Sequence, residues 1–144
     1  MIDYKEKLKA LKAIGKGNIG EYLGIEYTDL GDGFICGKMP VDHRTKQPAG
    51  ILHGGISVVL AETLGSVGTH MSLPEDKICV GLEINANHIK SVSSGYIHGM
   101  AICKHKGRST QIWEINIVDD HESLVCISRI TLAILDKKIP TNLP

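Results

Sequence analysis

The run from Gly54 to His70, GGISVVLAETLGSVGTH, constrains this chain more than any other segment. It is apolar almost all round, carries one charge, and is long enough for a helix of about four turns. Its β-branched residues would also suit a strand, but a strand of that length is unusual. A helix without a polar face has to be enclosed by other structure.

The remaining segments supply a sheet to enclose it. Residues 3–13 place Tyr4, Leu8 and Leu11 on one helical stripe, and Gly15, Gly17 and Gly20 are expected to end that helix. Strands are expected at Gly24 to Leu30 and Gly33 to Pro40, around a Gly31-Asp32-Gly33 turn, followed by a loop over 41–53. After a break at Ser72-Leu73-Pro74, four strands follow at 77–89, 95–106, 109–119 and 123–136. Consecutive strands without crossover helices imply antiparallel pairing. The fold class is therefore α+β: an antiparallel sheet of about six strands wrapped around one long central helix. Residues 1–144 form one domain, with 1–20 as its N-terminal helix and connection. One sheet cannot cover an all-round apolar helix, so an oligomer is expected.

Charge and cysteine usage exclude several functions. The chain balances 16 Lys+Arg against 16 Asp+Glu, which leaves no basic surplus for nucleic acid. No apolar run approaches the length of a membrane span. Cys36, Cys79, Cys103 and Cys126 form no CxxC pair and read as small buried hydrophobes, so no metal site is expected. Unpaired thiols and a charged N-terminus without an export signal point to the cytoplasm.

Glu62 stands in the middle of the apolar helix, where a buried carboxylate costs several kcal/mol unless it is hydrogen-bonded or its ionisation shifts. A neighbouring backbone or partner chain could satisfy it; alternatively it is a reactive group. Ser66 follows four residues later on the same face, within reach of that carboxylate or of a bound water. His53-Gly54-Gly55 opens the helix, whose first N–H groups lack intrahelical acceptors. Glycines there let a ligand oxygen approach the positive end of the helix dipole, a ready oxyanion site. Gln47, just upstream, adds a neutral donor. Together these groups could stabilise negative charge that develops on a bound oxygen. Either a nucleophilic or a general-base carboxylate must be ionised to act.

The run Gln47-Pro48-Ala49-Gly50-Ile51-Leu52-His53-Gly54-Gly55, with Ala61-Glu62-Thr63-Leu64-Gly65-Ser66, resembles the HGG…E signature of hotdog-fold acyl-CoA thioesterases. The branch it resembles contains phenylacetate-pathway thioesterases, glutamate-using 4-hydroxybenzoyl-CoA thioesterases and 1,4-dihydroxy-2-naphthoyl-CoA hydrolases. The likeness continues through residues 81–88 and 107–115. It implies that Glu62 is the catalytic carboxylate, as nucleophile or general base, and that Gly54 or Gly55 polarises the thioester carbonyl. Gln47 would orient the thioester or water, His53 would lie near the thioester, and Ser66 would assist hydrolysis. His88, Lys90, Lys106, Arg108 and Ser109 match strand ends where the family contacts the coenzyme A nucleotide. The resemblance further implies dimers with sites at the interface, paired into a homotetramer, and no cofactor beyond the coenzyme A carried by the substrate. Two alternatives stand beside hydrolysis: a catalytically idle acyl-CoA-binding module, and a hotdog dehydratase pairing His53 with a carboxylate.

Overall fold

The computed structural model describes residues 3–14 and 17–137. The elements are α1 (Tyr4–Ile14), α2 (Ile19–Leu23), β1 (Glu26–Gly31), β2 (Phe34–Pro40), α3 (Gly54–Ser72), β3 (Lys77–His88), β4 (Tyr96–Lys106), β5 (Thr110–Asp119) and β6 (Leu124–Asp136). All strand pairs are antiparallel, and the six strands form one sheet in the order β1-β2-β4-β5-β6-β3. The expected α+β architecture is present, with strand boundaries within one or two residues of those read from sequence.

The N-terminal region departs from expectation. Gly20 does not end a helix but lies inside α2, which Asn18 caps by accepting the Glu21 N–H. Gly24, expected to open β1, is instead the left-handed cap of α2 at φ 72°, so β1 begins two residues later. Gly15 lies outside the described residues, as do residues 138–144 of the domain. The Tyr4-Leu8-Leu11 stripe packs on the core as its spacing predicts. From α1, Lys7 donates to the Met71 carbonyl at 2.9 Å and so serves the C-terminal end of α3.

Alternation positions the core. Along β5, Gln111, Trp113, Ile115, Ile117 and Asp119 turn inward while the residues between them turn out. The sheet curls around α3, which packs on five of its strands. Small and large residues interlock across that contact. Gly37 and Gly99 face each other across β2 and β4, and a Cβ at either would lie 2.9 or 2.6 Å from a Leu64 methyl. Conversely, Gly65 and Gly68 admit Ile130 and Trp113, where a Cβ would sit at 2.6 and 2.7 Å. Close packing of this kind tolerates no added methylene.

Polar groups at the far end of α3 are tied together. The buried Gln111 accepts from the Trp113 indole at 3.0 Å and donates to Ser72 Oγ at 3.0 Å, and Ser72 donates to the Thr69 carbonyl. Cys126 is buried, whereas Cys36, Cys79 and Cys103 are only half-buried; burial pushes all four thiols up.

The sheet wraps α3 without closing. Its edges are β1 and β3, and among the described residues β3 pairs with β6 alone and leaves its other backbone edge unpaired, with Val80 and Leu82 exposed.

Candidate active site

The loop before α3 is held by short-range bonds. The Asp42 carbonyl accepts the Thr45 N–H at 3.0 Å in a tight turn, and the buried Thr45 hydroxyl donates to the Pro40 carbonyl at 3.0 Å. Arg44 binds the Asp42 carboxylate and donates to the Tyr22 carbonyl, anchoring the loop to α2; the guanidinium holds Asp42 down to about 2. Lys46 pairs with Leu52, and Gly50 turns the chain between them at φ +80°. That excursion sets Gln47 beside the start of α3.

His53 is the N-cap of α3. Its Nδ1 accepts the Gly55 N–H at 3.0 Å, and its carbonyl accepts from Ile56. Gly55 is thereby engaged, whereas the Gly54 N–H makes no hydrogen bond among the described residues. Of the two glycines, Gly54 has the free donor. His88, expected to contact a phosphate, sits against this helix start instead: a Cβ at Gly54 would lie 2.7 Å from His88 Nε2. Gln47, Gly54, Ser57, His88 and Lys90 border a cavity of about 250 Å³.

Glu62 differs from the sequence expectation. Its side chain is exposed in the single chain, and no hydrogen bond joins it to Ser66 among the described residues. The reason is that β3 is the edge strand of the sheet, and Glu62 lies at that open margin of α3. A Cβ at Gly81 would come within 3.0 Å of Glu62 Oε1, so the carboxylate rests over the middle of β3. Ser66 borders a second, larger cleft of about 1120 Å³, and its carbonyl accepts from Cys79. Helix and strand thus run side by side, with Gly54 next to His88, Glu62 next to Gly81 and Ser66 next to Cys79.

The five residues matched to nucleotide contacts do not meet in one chain. Lys106, Arg108 and Ser109 are exposed around the β4–β5 turn, where Ile134, opposite Cys79, donates to the Ser109 carbonyl. His88 and Lys90 lie at the other end of β3, about 30 Å away at the rise of a strand. Lys90 is already committed to an ion pair with Asp119 at 2.6 Å. The Lys90 ammonium, with the Ser123 and His121 N–H groups, holds Asp119 down to about 2. This pair ties the segment after β3 to the β5–β6 turn.

Residues 49–126 match the Thioesterase superfamily, more than half of the chain. The chain belongs to that superfamily. Its fold is the hotdog fold, and it is a thioester hydrolase. The 1,4-dihydroxy-2-naphthoyl-CoA hydrolase of Escherichia coli is 47% identical over 131 residues, 91% of this chain and 96% of that protein. The proofreading thioesterase EntH of Cronobacter sakazakii is 47% identical over 128 residues, 89% of this chain and 93% of that one. Among solved structures, a thioesterase from Haemophilus influenzae superposes with a TM-score of 0.89 at 42% identity, covering 94% of both chains.

Sequence reasoning gave no role to two residues beside these groups. Ser57, which borders the smaller cavity, is hidden among apolar neighbours. Gly81, beside Glu62, lies in the run that carried the resemblance, and a lone glycine inside a strand marks a close approach.

Proposed function

We propose that the chain hydrolyses a coenzyme A thioester of an aryl or medium-chain acid, at sites each built from two copies of the chain. The observation that carries this is a double separation along one axis. In a single chain the free Gly54 N–H lies two turns from Glu62, and the cations of the β4–β5 turn lie a strand's length from His88. One operation reunites both pairs: antiparallel addition of a second β3 to the unpaired β3 edge. The exposed Val80 and Leu82 and the exposed side of α3 are then covered.

In such a site the thioester carbonyl accepts from Gly54 of one copy while Glu62 of the other faces its carbon. Glu62 either attacks that carbon or takes a proton from the attacking water. Negative charge builds on the carbonyl oxygen at the helix N-terminus, the C–S bond breaks, and coenzyme A leaves as thiolate. Water supplies the new oxygen of the acid, directly or by opening the mixed anhydride with Glu62. Gln47 orients carbonyl or water, His53 fixes the backbone of the helix start, and Ser66 stands at the mouth of the larger cleft, which takes the acyl group. Lys106, Arg108 and Ser109 meet the nucleotide phosphates, while His88 stands beside Gly54 at the thioester. Met100, Ile102 and Ile127, exposed on the outer face of the sheet, offer a second contact that pairs dimers into a tetramer.

Release of coenzyme A from a panel of aryl- and alkyl-CoA thioesters tests this, read by thioester absorbance because the four thiols would react with a thiol dye. Turnover that Glu62→Ala lowers by at least about 10²-fold with the fold intact supports it. Binding of the esters without cleavage by the wild type would leave an idle acyl-CoA-binding module.

A further inference from the structure

The Asp119 side chain is only 8% exposed, and the proposed hydrolysis makes no use of its carboxylate. Its two oxygens serve different segments. Oδ1 accepts the His121 and Ser123 N–H groups, each at 2.9 Å, and so closes the β5–β6 turn. Oδ2 accepts from Lys90 Nζ at 2.6 Å and so reaches out of the turn, to the segment 89–95 between β3 and β4.

That segment connects the turn with the start of α3. His88, two residues before Lys90, sits against Gly54. Val92, two residues after it, is buried, and its carbonyl accepts the Leu52 N–H at 2.8 Å. Leu52 precedes the N-cap His53 and bridges to Lys46, the neighbour of Gln47. The Ile89 N–H fixes one end of the segment to the Val125 carbonyl at 2.8 Å, whereas the Lys90 N–H reaches that carbonyl only at 3.4 Å. Ile89, Lys90 and Ser91 border the same 250 Å³ cavity as Gln47 and Gly54.

We propose that the Lys90–Asp119 ion pair is a positioning pair for the reaction: it holds this wall of the cavity so that Gln47 and His88 keep their places around the Gly54 N–H. The proposal rests on the hydrolysis assigned to that helix start. Lys90 lies two residues from His88 on one side and two from the Val92 carbonyl on the other, so a shift of its backbone moves both groups. A displacement of about 1 Å at a reacting centre can cost about 10²-fold in rate.

Kinetics of single and paired variants test this, beside backbone amide exchange on the full chain. Lys90→Met and Asp119→Asn are each expected to lower kcat roughly tenfold with KM changed less than about twofold, and Lys90→Arg to recover most of the loss. The double variant should be no slower than the slower single one. Lys77→Met breaks the ion pair with Asp136 at the opposite end of β3 and should leave kcat unchanged. Exchange of the Leu52 amide should quicken in Lys90→Met, while that of Ile134, bonded to the Ser109 carbonyl, keeps its rate. A raised KM with kcat intact in Lys90→Met would make Lys90 a direct substrate contact and overturn the proposal. Losses that multiply in the double variant, or unchanged Leu52 exchange, would overturn it too. A wild type without turnover would defeat the hydrolase reading alone, and Leu52 exchange would still decide whether the pair holds this wall.

Discussion

Mixing two inactive variants tests whether each site is shared between copies. Eight residues separate Gly54 from Glu62 on α3, about 12 Å at 1.5 Å per residue. The N–H groups of a first helical turn point along the axis away from the helix body. A carbonyl oxygen held by Gly54 therefore lies about 3 Å beyond the helix start, some 15 Å from the Glu62 Cα. The glutamate side chain recovers roughly 4 Å of this by leaning toward the N-terminus. About 11 Å remains where attack requires roughly 3–3.5 Å. Within one chain the carboxylate cannot reach.

Glu62→Ala and Gln47→Ala are each expected to be nearly inactive alone. Neither side chain makes a hydrogen bond that holds the fold among the described residues, so both variants should fold. Unfolded in urea together in equal amounts and refolded, they pair at random, and about half of the dimers are mixed. Each mixed dimer contains one site with both native residues and one with neither. Activity should therefore return to about a quarter of the wild-type value, read by thioester absorbance at equal total protein. If sites lay within single chains, every site in a mixed dimer would still carry one lesion. Activity that stays at the mean of the two parents refutes the shared site.

Three further outcomes follow from the packing and charge. Gln111→Leu leaves the buried Trp113 indole N–H without its 3.0 Å acceptor and should destabilise by about 2 kcal/mol, read as a lower urea midpoint. Asp42 and Asp119 are both held down to about 2, so their contribution is complete above the ordinary carboxylate range and disappears as pH falls toward 2. Urea midpoints should fall between pH 4 and 2, less steeply in Asp119→Asn, which starts lower at pH 7; parallel slopes would contradict this. Ala13 is exposed on the wall of the larger cleft, and Ala13→Trp should lower kcat/KM for bulky acyl groups far more than for acetyl-CoA. An equal effect on both would remove the acyl group from that cleft.

Strand β5 was legible because its inward and outward residues alternate from Gln111 to Asp119. Helix α2 was not, since five residues are too few to carry a 3.6-residue period, and its glycines read as breakers. Gln47, His53, Gly54, Glu62 and Ser66 were singled out by residue type, order and resemblance. Their positions relative to one another were not, because spacing along a helix says nothing of what stands across from it. Lys90 was taken for a free cation because its partner Asp119 lies 29 residues away in sequence. Ser57 carried no signal among apolar neighbours, where a serine is ordinary.

The exposure of Glu62 and the apolar character of α3 have one explanation. A helix that needed only its own sheet could be polar on the uncovered side, and a soluble single chain would gain from it. Instead Val58 is half-buried outside the core cluster, on the same side of α3 as the exposed Gly55, Glu62 and His70. Leu82 adds an exposed side chain where the β3–β6 register shifts. Burying such surface favours a second copy at about 25 cal/mol per Å², and the same contact excludes water from around Glu62. Desolvation strengthens the pull of the Gly54 N–H on a developing oxyanion. Dimerisation and catalysis are thus expected to be lost together: a charge placed at the exposed Leu82 on the free edge should yield a folded monomer without turnover. A monomeric Leu82→Lys variant that hydrolyses thioesters at the wild-type rate would show that one chain suffices.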